Sequence, residues 1–148
     1  RVVTFNRREG RFFDADGVAE KFGVRPASIP DYLALVGDAA DGFPGLPGWG
    51  AKSTATVLSR YPHLEDIPDS VSAWDLKVRG AASLARSLAE HRDDALLFRE
   101  LATLRTDAPI PQSDPDELRW QGVDRPAFEA LAAKLRSPRL LERLPTHG

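Results

Sequence analysis

Hydrophobic and polar positions divide the chain into a short β-type start and a long helical remainder. Val2-Val3-Thr4-Phe5 and Arg11-Phe12-Phe13 are β-rich runs separated by a polar turn with Gly10, which predicts a hairpin or the last strands of a larger sheet. A lone hairpin is barely stable in water, so it must pack on the helical remainder or belong to such a sheet. From Asp14 the pattern turns helical. Asp14 or Asp16 is placed to cap a helix that runs through Lys21 and ends at Gly23. Ser28-Ile29-Pro30-Asp31 starts a second helix that runs to Gly37, with Pro30 near its first turn. Residues 42–50, GFPGLPGWG, hold four Gly and two Pro and are loop. AKSTATVLSR, 51–60, is the next helix. Over 80–105, Ala81, Leu84, Ala85 and Leu88 lie at i, i+3, i+4, i+7, and Leu97, Leu101 and Leu104 repeat that spacing beside Phe98. Both sets are expected to face the core. His91-Arg92-Asp93-Asp94 marks a break or cap between the two halves. Residues 107–117 are a Pro-rich linker. Phe128, Leu131, Ala132 and Leu135 mark a last amphipathic helix, and Pro138 opens a short final one. Trp74 and Trp120 read as core.

Composition narrows the picture. The 148 residues, 16.2 kDa, suit about one domain. Without Cys there is no disulfide frame, thiolate metal site or cysteine nucleophile. No apolar run is long enough for a membrane span or a signal-peptide core. A net charge of −2 and a pI near 5.9 argue against a chain that binds nucleic acid over its whole surface. Any such contact must be local. There is no Met and the chain opens on Arg1, so a fragment of a longer protein is expected.

The chemistry concentrates in residues 37–58. Asp38 and Asp41 stand three apart where the second helix ends, a spacing that on a helix brings Cβ atoms to about 5–6 Å. Paired carboxylates repel unless they are solvated or hold a cation. Mg²⁺ or Mn²⁺ suits such oxygen ligands; the plainer alternative is a solvated turn. Next, Gly45, Gly48 and Gly50 join two helices. Gly allows positive φ and close backbone approach, and amide groups at a helix start favour phosphate. Lys52, Ser53 and Thr54 would add a cation and two hydroxyls. A helix–hairpin–helix of this kind grips phosphates and reads no bases; a plain helix connection is the alternative. His63 and His91 stand isolated in polar surroundings and His147 lies near the end, so none is assigned a role. Ser53 lacks the strand–elbow context of a hydrolase serine. Lys77, Arg79, Arg86, Arg92, Arg99 and Arg105 read mostly as a solvated face, a subset of which could extend a phosphate track.

Taken together, GDAADGFPGLPGWGAKSTA (37–55) resembles the signature of the flap endonuclease and 5′–3′ exonuclease family, which includes the nuclease domain attached to bacterial DNA polymerase I. That signature runs G-D-x-x-D-N-(hydrophobic)-P-G-(hydrophobic)-x-G-(hydrophobic)-G-x-K-T-A. Here Gly42 replaces Asn, Trp49 takes a small aliphatic position and Ser53-Thr54 stand for Thr-Ala. AEKFGVRPASIPDYLAL before the motif and DDALLFRELATLRTDAPI after it extend the resemblance over about residues 17–112.

The resemblance implies a mainly α, SAM-like helix–hairpin–helix region at 25–148. Residues 1–24 would be the end of a separate α/β nuclease core whose remainder lies upstream. It implies divalent-metal-dependent 5′–3′ exonuclease or flap endonuclease activity by two-metal hydrolysis. Asp38 and Asp41 would be ligands of the second metal, Mg²⁺ or Mn²⁺. The DNA contacts implied are Gly45, Gly48, Gly50, Lys52, Ser53, Thr54 and Arg105, the last from the shared Arg-Thr-Asp element, with K⁺ bridging hairpin carbonyls and a phosphate. The partner would be duplex DNA with a 5′ flap or 5′ end, bound by a monomeric, cytoplasmic, nucleoid-associated bacterial protein acting in replication and repair. The family's other metal carboxylates lie upstream of Arg1, so this half alone is expected to hydrolyse little. No linker or polymerase-like start precedes Gly148, which leans toward a free-standing parent while leaving a polymerase-fused one open. A non-catalytic helix–hairpin–helix DNA-binding module remains the alternative.

Overall fold

The structure is a computed structural model and describes residues 3–144; Val2 of the expected first strand and His147 lie outside the described residues. The chain divides into two compact units, Arg1–Arg105 and Thr106–Gly148. The sequence-drawn boundary near residue 24 falls inside the first.

In the first unit, β1 (Thr4–Asn6) and β2 (Arg11–Phe13) form an antiparallel pair with Phe5 opposite Phe12. The pair leans on α1 (Ala15–Phe22): a Cβ at Gly17 would stand 3.2 Å from Phe13 Cδ1. Asp14 caps α1 by accepting from Gly17 N–H at 3.0 Å, and Gly23 ends it at φ 72. A short 3₁₀ turn, Pro26–Ser28, feeds α2 (Ile29–Val36), where Pro30 at the first turn needs no N–H acceptor. The chain continues through the hairpin into α3 (Ala51–Arg60), then α4 (Ala81–Glu90) and α5 (Arg92–Ala102), which meet at His91. Leu35, Leu58 and Leu64 are the largest apolar side chains wholly enclosed, each contributing about 1.5–3 kcal/mol by burial. Leu84, Ala85 and Leu88 of α4 join the same core, with Ala81 packed against it, as their spacing predicts, and the indole of Trp74 is in it too.

Helix α5 departs from expectation. Leu97, Leu101 and Leu104 are 52, 60 and 90% exposed, while Ala95 is fully buried, with Leu96 and Phe98 packed beside it. α5 has two apolar stripes, and the one packed on α2 is the stripe that also carries Arg99, whose guanidinium meets buried Asp31 on that helix.

The second unit holds a 3₁₀ turn, Pro115–Leu118, then α6 (Arg125–Lys134), capped by Asp124, and a final 3₁₀ segment, Pro138–Arg143. Among its described residues only Ala132 is buried, and Trp120 is 73% exposed rather than core. A unit this short and Pro-rich encloses no indole. No helix among the described residues is long and apolar enough to cross a membrane.

Candidate functional site

The chain leaves α2 through Gly37 and returns past it through Gly45. The two glycine backbones touch: a Cβ on Gly45 would lie 2.4 Å from Gly37 N and Val36 C, and one on Gly37 would lie 2.5 Å from Pro44 C and O. Both have positive φ, 90 and 71. Leu46 N–H donates to Leu35 C=O at 2.9 Å, holding the crossing against the core.

Between them lies a tight turn. Asp38 N–H donates to Phe43 C=O at 2.9 Å and Phe43 N–H returns to Asp38 C=O at 3.2 Å. Gly42 has φ 85, a conformation asparagine also tolerates, so Gly in place of the family's Asn keeps the turn. Phe43 is buried and stacks on Phe98 with centroids 5.7 Å apart, fixing the turn to α5. Asp38 and Asp41 therefore sit in a turn and not on one helical face. Asp38 Oδ1 accepts from Ala40 N–H at 2.9 Å and Asp41 N–H at 3.4 Å. Asp38 is half-buried, and Asp41 is exposed. Among the described residues no group of three or more acidic or histidine side chains is placed to hold a metal ion. The pair thus offers two carboxylates, a number that suits an ion retaining most of its waters.

Beyond Gly45 the hairpin runs to α3. Gly48 has φ 82 with nothing within 4 Å of its Cβ position. The first α3 bond runs from Thr54 N–H to Gly50 C=O at 3.0 Å, so the amides of Ala51, Lys52 and Ser53 have no intrahelical acceptor. Ser53 Oγ donates to Gly50 C=O at 2.9 Å and accepts from Gly50 N–H at 3.1 Å, fixing the turn. Lys52 is exposed at this positive helix end. Thr54 corrects the sequence expectation: it is 0% exposed and its hydroxyl is enclosed, so it belongs to the core and offers no surface donor. Trp49 points inward as well, 5% exposed, against Trp74. Arg105 is exposed three residues past α5.

Sequence reasoning missed one network. Asp31, 2% exposed on α2, accepts from Leu64 N–H at 3.2 Å, pairs with His63 Nδ1 at 2.9 Å and meets Arg99 Nη1 at 3.3 Å; Arg99 also binds Glu65 at 2.6 Å. It ties the first turn of α2, the Leu64–Asp66 turn and α5 together. The hydrogen bond to Asp31 raises the His63 pKa above its ordinary 6.5. The Arg99 guanidinium lowers that of Glu65. A raised folded-state pKa means that the His63 contribution is complete below about 6.5 and is lost as pH rises through the raised value. We expect Tm to fall as pH rises from 6 to 8.5, and His63→Gln to flatten that dependence. An unchanged pH profile in His63→Gln would contradict the pairing.

Residues 24–126 match the family described as 5′–3′ exonuclease, C-terminal SAM fold. DNA polymerase I of Bacillus subtilis (strain 168) is 38% identical over 90% of this chain and 14% of that protein. DNA polymerase I of Pseudomonas aeruginosa is 36% identical over 97% of this chain and 16% of its own length. The 5′–3′ exonuclease of Buchnera aphidicola (subsp. Acyrthosiphon pisum) is 30% identical over 74% of this chain and 38% of its own. The chain thus spans about a sixth or less of those polymerases. With its mainly helical build and glycine hairpin, it belongs to the family of 5′–3′ exonuclease C-terminal SAM-fold domains.

Proposed function

We propose that this chain is the duplex-gripping part of a structure-specific, divalent-metal-dependent 5′–3′ exonuclease or flap endonuclease. The observation that carries the reading is the first turn of α3. Its free amides and Lys52 open to solvent behind Gly48, on a hairpin fixed by the Gly37–Gly45 crossing. Such a surface binds the phosphates of DNA carrying a 5′ flap or 5′ end and contributes no base-reading side chain. Gly48, Gly50, Lys52, Ser53 and Arg105 are the proposed contacts; Gly45, named with them from the sequence, is buried against the α2 backbone and holds the crossing instead. K⁺ at the hairpin carbonyls would strengthen the phosphate contact.

Asp38 and Asp41 would hold part of one Mg²⁺ or Mn²⁺ site. Bound there, the metal would supply charge stabilisation for phosphodiester hydrolysis. The two aspartates by themselves offer too few carboxylates for a two-metal site, so the remaining ligands would come from a nuclease core outside this chain.

The Asx turn made by Asp38 favours a second reading, in which the chain is a non-catalytic helix–hairpin–helix module and the aspartates only shape the loop. Both readings share duplex binding. The test is an anisotropy titration of the 148-residue chain with a blunt labelled duplex. Binding that weakens linearly with log salt is expected, and no binding at low salt overturns both.

A further inference from the structure

The hairpin is one wall of a larger groove, of 710 Å³. Gly48, Lys52 and Ser53 line one side; Lys77 and Arg79, on the run entering α4, and Ser83 in its first turn line the other. No carboxylate and no aromatic ring lines it. Among the described residues Lys52, Lys77 and Arg79 make no ion pair, whereas Arg60, Arg92 and Arg99 are each held by an aspartate or glutamate. Lys77 and Arg79 are exposed.

The two walls are fastened to each other. Ser87 of α4, itself buried, donates to Pro47 C=O of the hairpin at 2.7 Å. Trp49 of the hairpin packs on Trp74, whose Nε1–H donates to Pro68 C=O at 2.8 Å. The groove's width is therefore set by the fold. Three cations that line one groove with no carboxylate in its lining repel, and a polyanion between them removes that cost.

We propose that Lys77 and Arg79 form a second phosphate-gripping wall, so that hairpin and α4 entrance together clasp the sugar–phosphate backbone of DNA. This rests on the duplex-binding reading and extends it to residues outside the hairpin. A free nucleotide shares the phosphate chemistry, but the groove has no aromatic face on which a base would stack. The grip is for backbone and is indifferent to sequence.

The test compares the wild-type chain with Lys77→Ala combined with Arg79→Ala, and separately with Lys52→Ala, on two blunt duplexes of unrelated sequence across a salt series. Each phosphate contact contributes about 0.9 to the log–log salt slope. The double variant should lose nearly two units of slope and on the order of tenfold in affinity, equally on both duplexes. Lys77→Arg with Arg79→Lys should restore binding. Both side chains are exposed, so folding is retained, which circular dichroism checks. Unchanged affinity and slope in the double variant, with Lys52→Ala weakened, overturns the second wall and leaves the hairpin reading standing. Saturation of the wild type by a nucleoside monophosphate, with duplex binding untouched by the double variant, also overturns it. No duplex binding by the wild type overturns both readings.

Discussion

Gly45→Ala is expected to destabilise the first unit by about 3–5 kcal/mol, or to prevent its folding, whereas Gly48→Ala costs only about 1–2 kcal/mol. Both positions have positive φ, 71 and 82, so both carry the left-handed strain of an added Cβ. They differ in surroundings. A Cβ on Gly45 would collide with backbone atoms of Gly37, Val36 and Leu35 at 2.4–2.7 Å, and backbone cannot swing aside as the end of a side chain can. Relief requires separating the hairpin from α2 and breaking the Leu46–Leu35 hydrogen bond. At Gly48 the same methyl meets open space. Urea unfolding of both variants measures the difference. Equal losses would mean that the glycine crossing does not hold the hairpin.

The second large effect concerns chemistry. With the proposed nuclease core joined to this chain, Asp38→Asn with Asp41→Asn should lower 5′-flap cleavage about a thousandfold. That corresponds to roughly 4 kcal/mol of lost metal-borne stabilisation, at 1.36 kcal/mol per decade. Duplex affinity in the absence of metal should hold, since neither carboxylate belongs to the hairpin. Asn can still accept the Ala40 and Asp41 amides, so the turn survives and a structural role alone predicts little change. Unchanged cleavage would favour the non-catalytic module. The present chain with Mg²⁺ or Mn²⁺ should show no robust flap cleavage; robust turnover would contradict the division of the metal site.

The parts of this site that the sequence made legible are those governed by local backbone chemistry. Gly and Pro crowd residues 42–50, so the loop, its flanking helices and the cap at Asp14 follow from short-range rules. The break at His91 was marked by its polar run. What escaped depends on distance or on choice. The partners of Asp31, His63 and Arg99, are 32 and 68 residues away, and nothing local in His63 announces a buried carboxylate. Helix α5 offers two apolar stripes, and periodicity does not say which one packs; the buried side is set by the Arg99–Asp31 pair and the Phe43–Phe98 stack. Thr54 sits where a phosphate-binding hydroxyl would be sought, yet α3 turns it into the core.

The proposed local grip of the hairpin on duplex backbone, by a chain of net charge −2, is tested most directly by affinity measured against salt. The wild-type chain and Lys52→Ala are each titrated on two duplexes of unrelated sequence. Equal affinities for both duplexes are expected, with a linear fall with log salt and a slope shallower by about one in Lys52→Ala. A clear sequence preference, or a slope that Lys52→Ala leaves unchanged, would contradict the local grip.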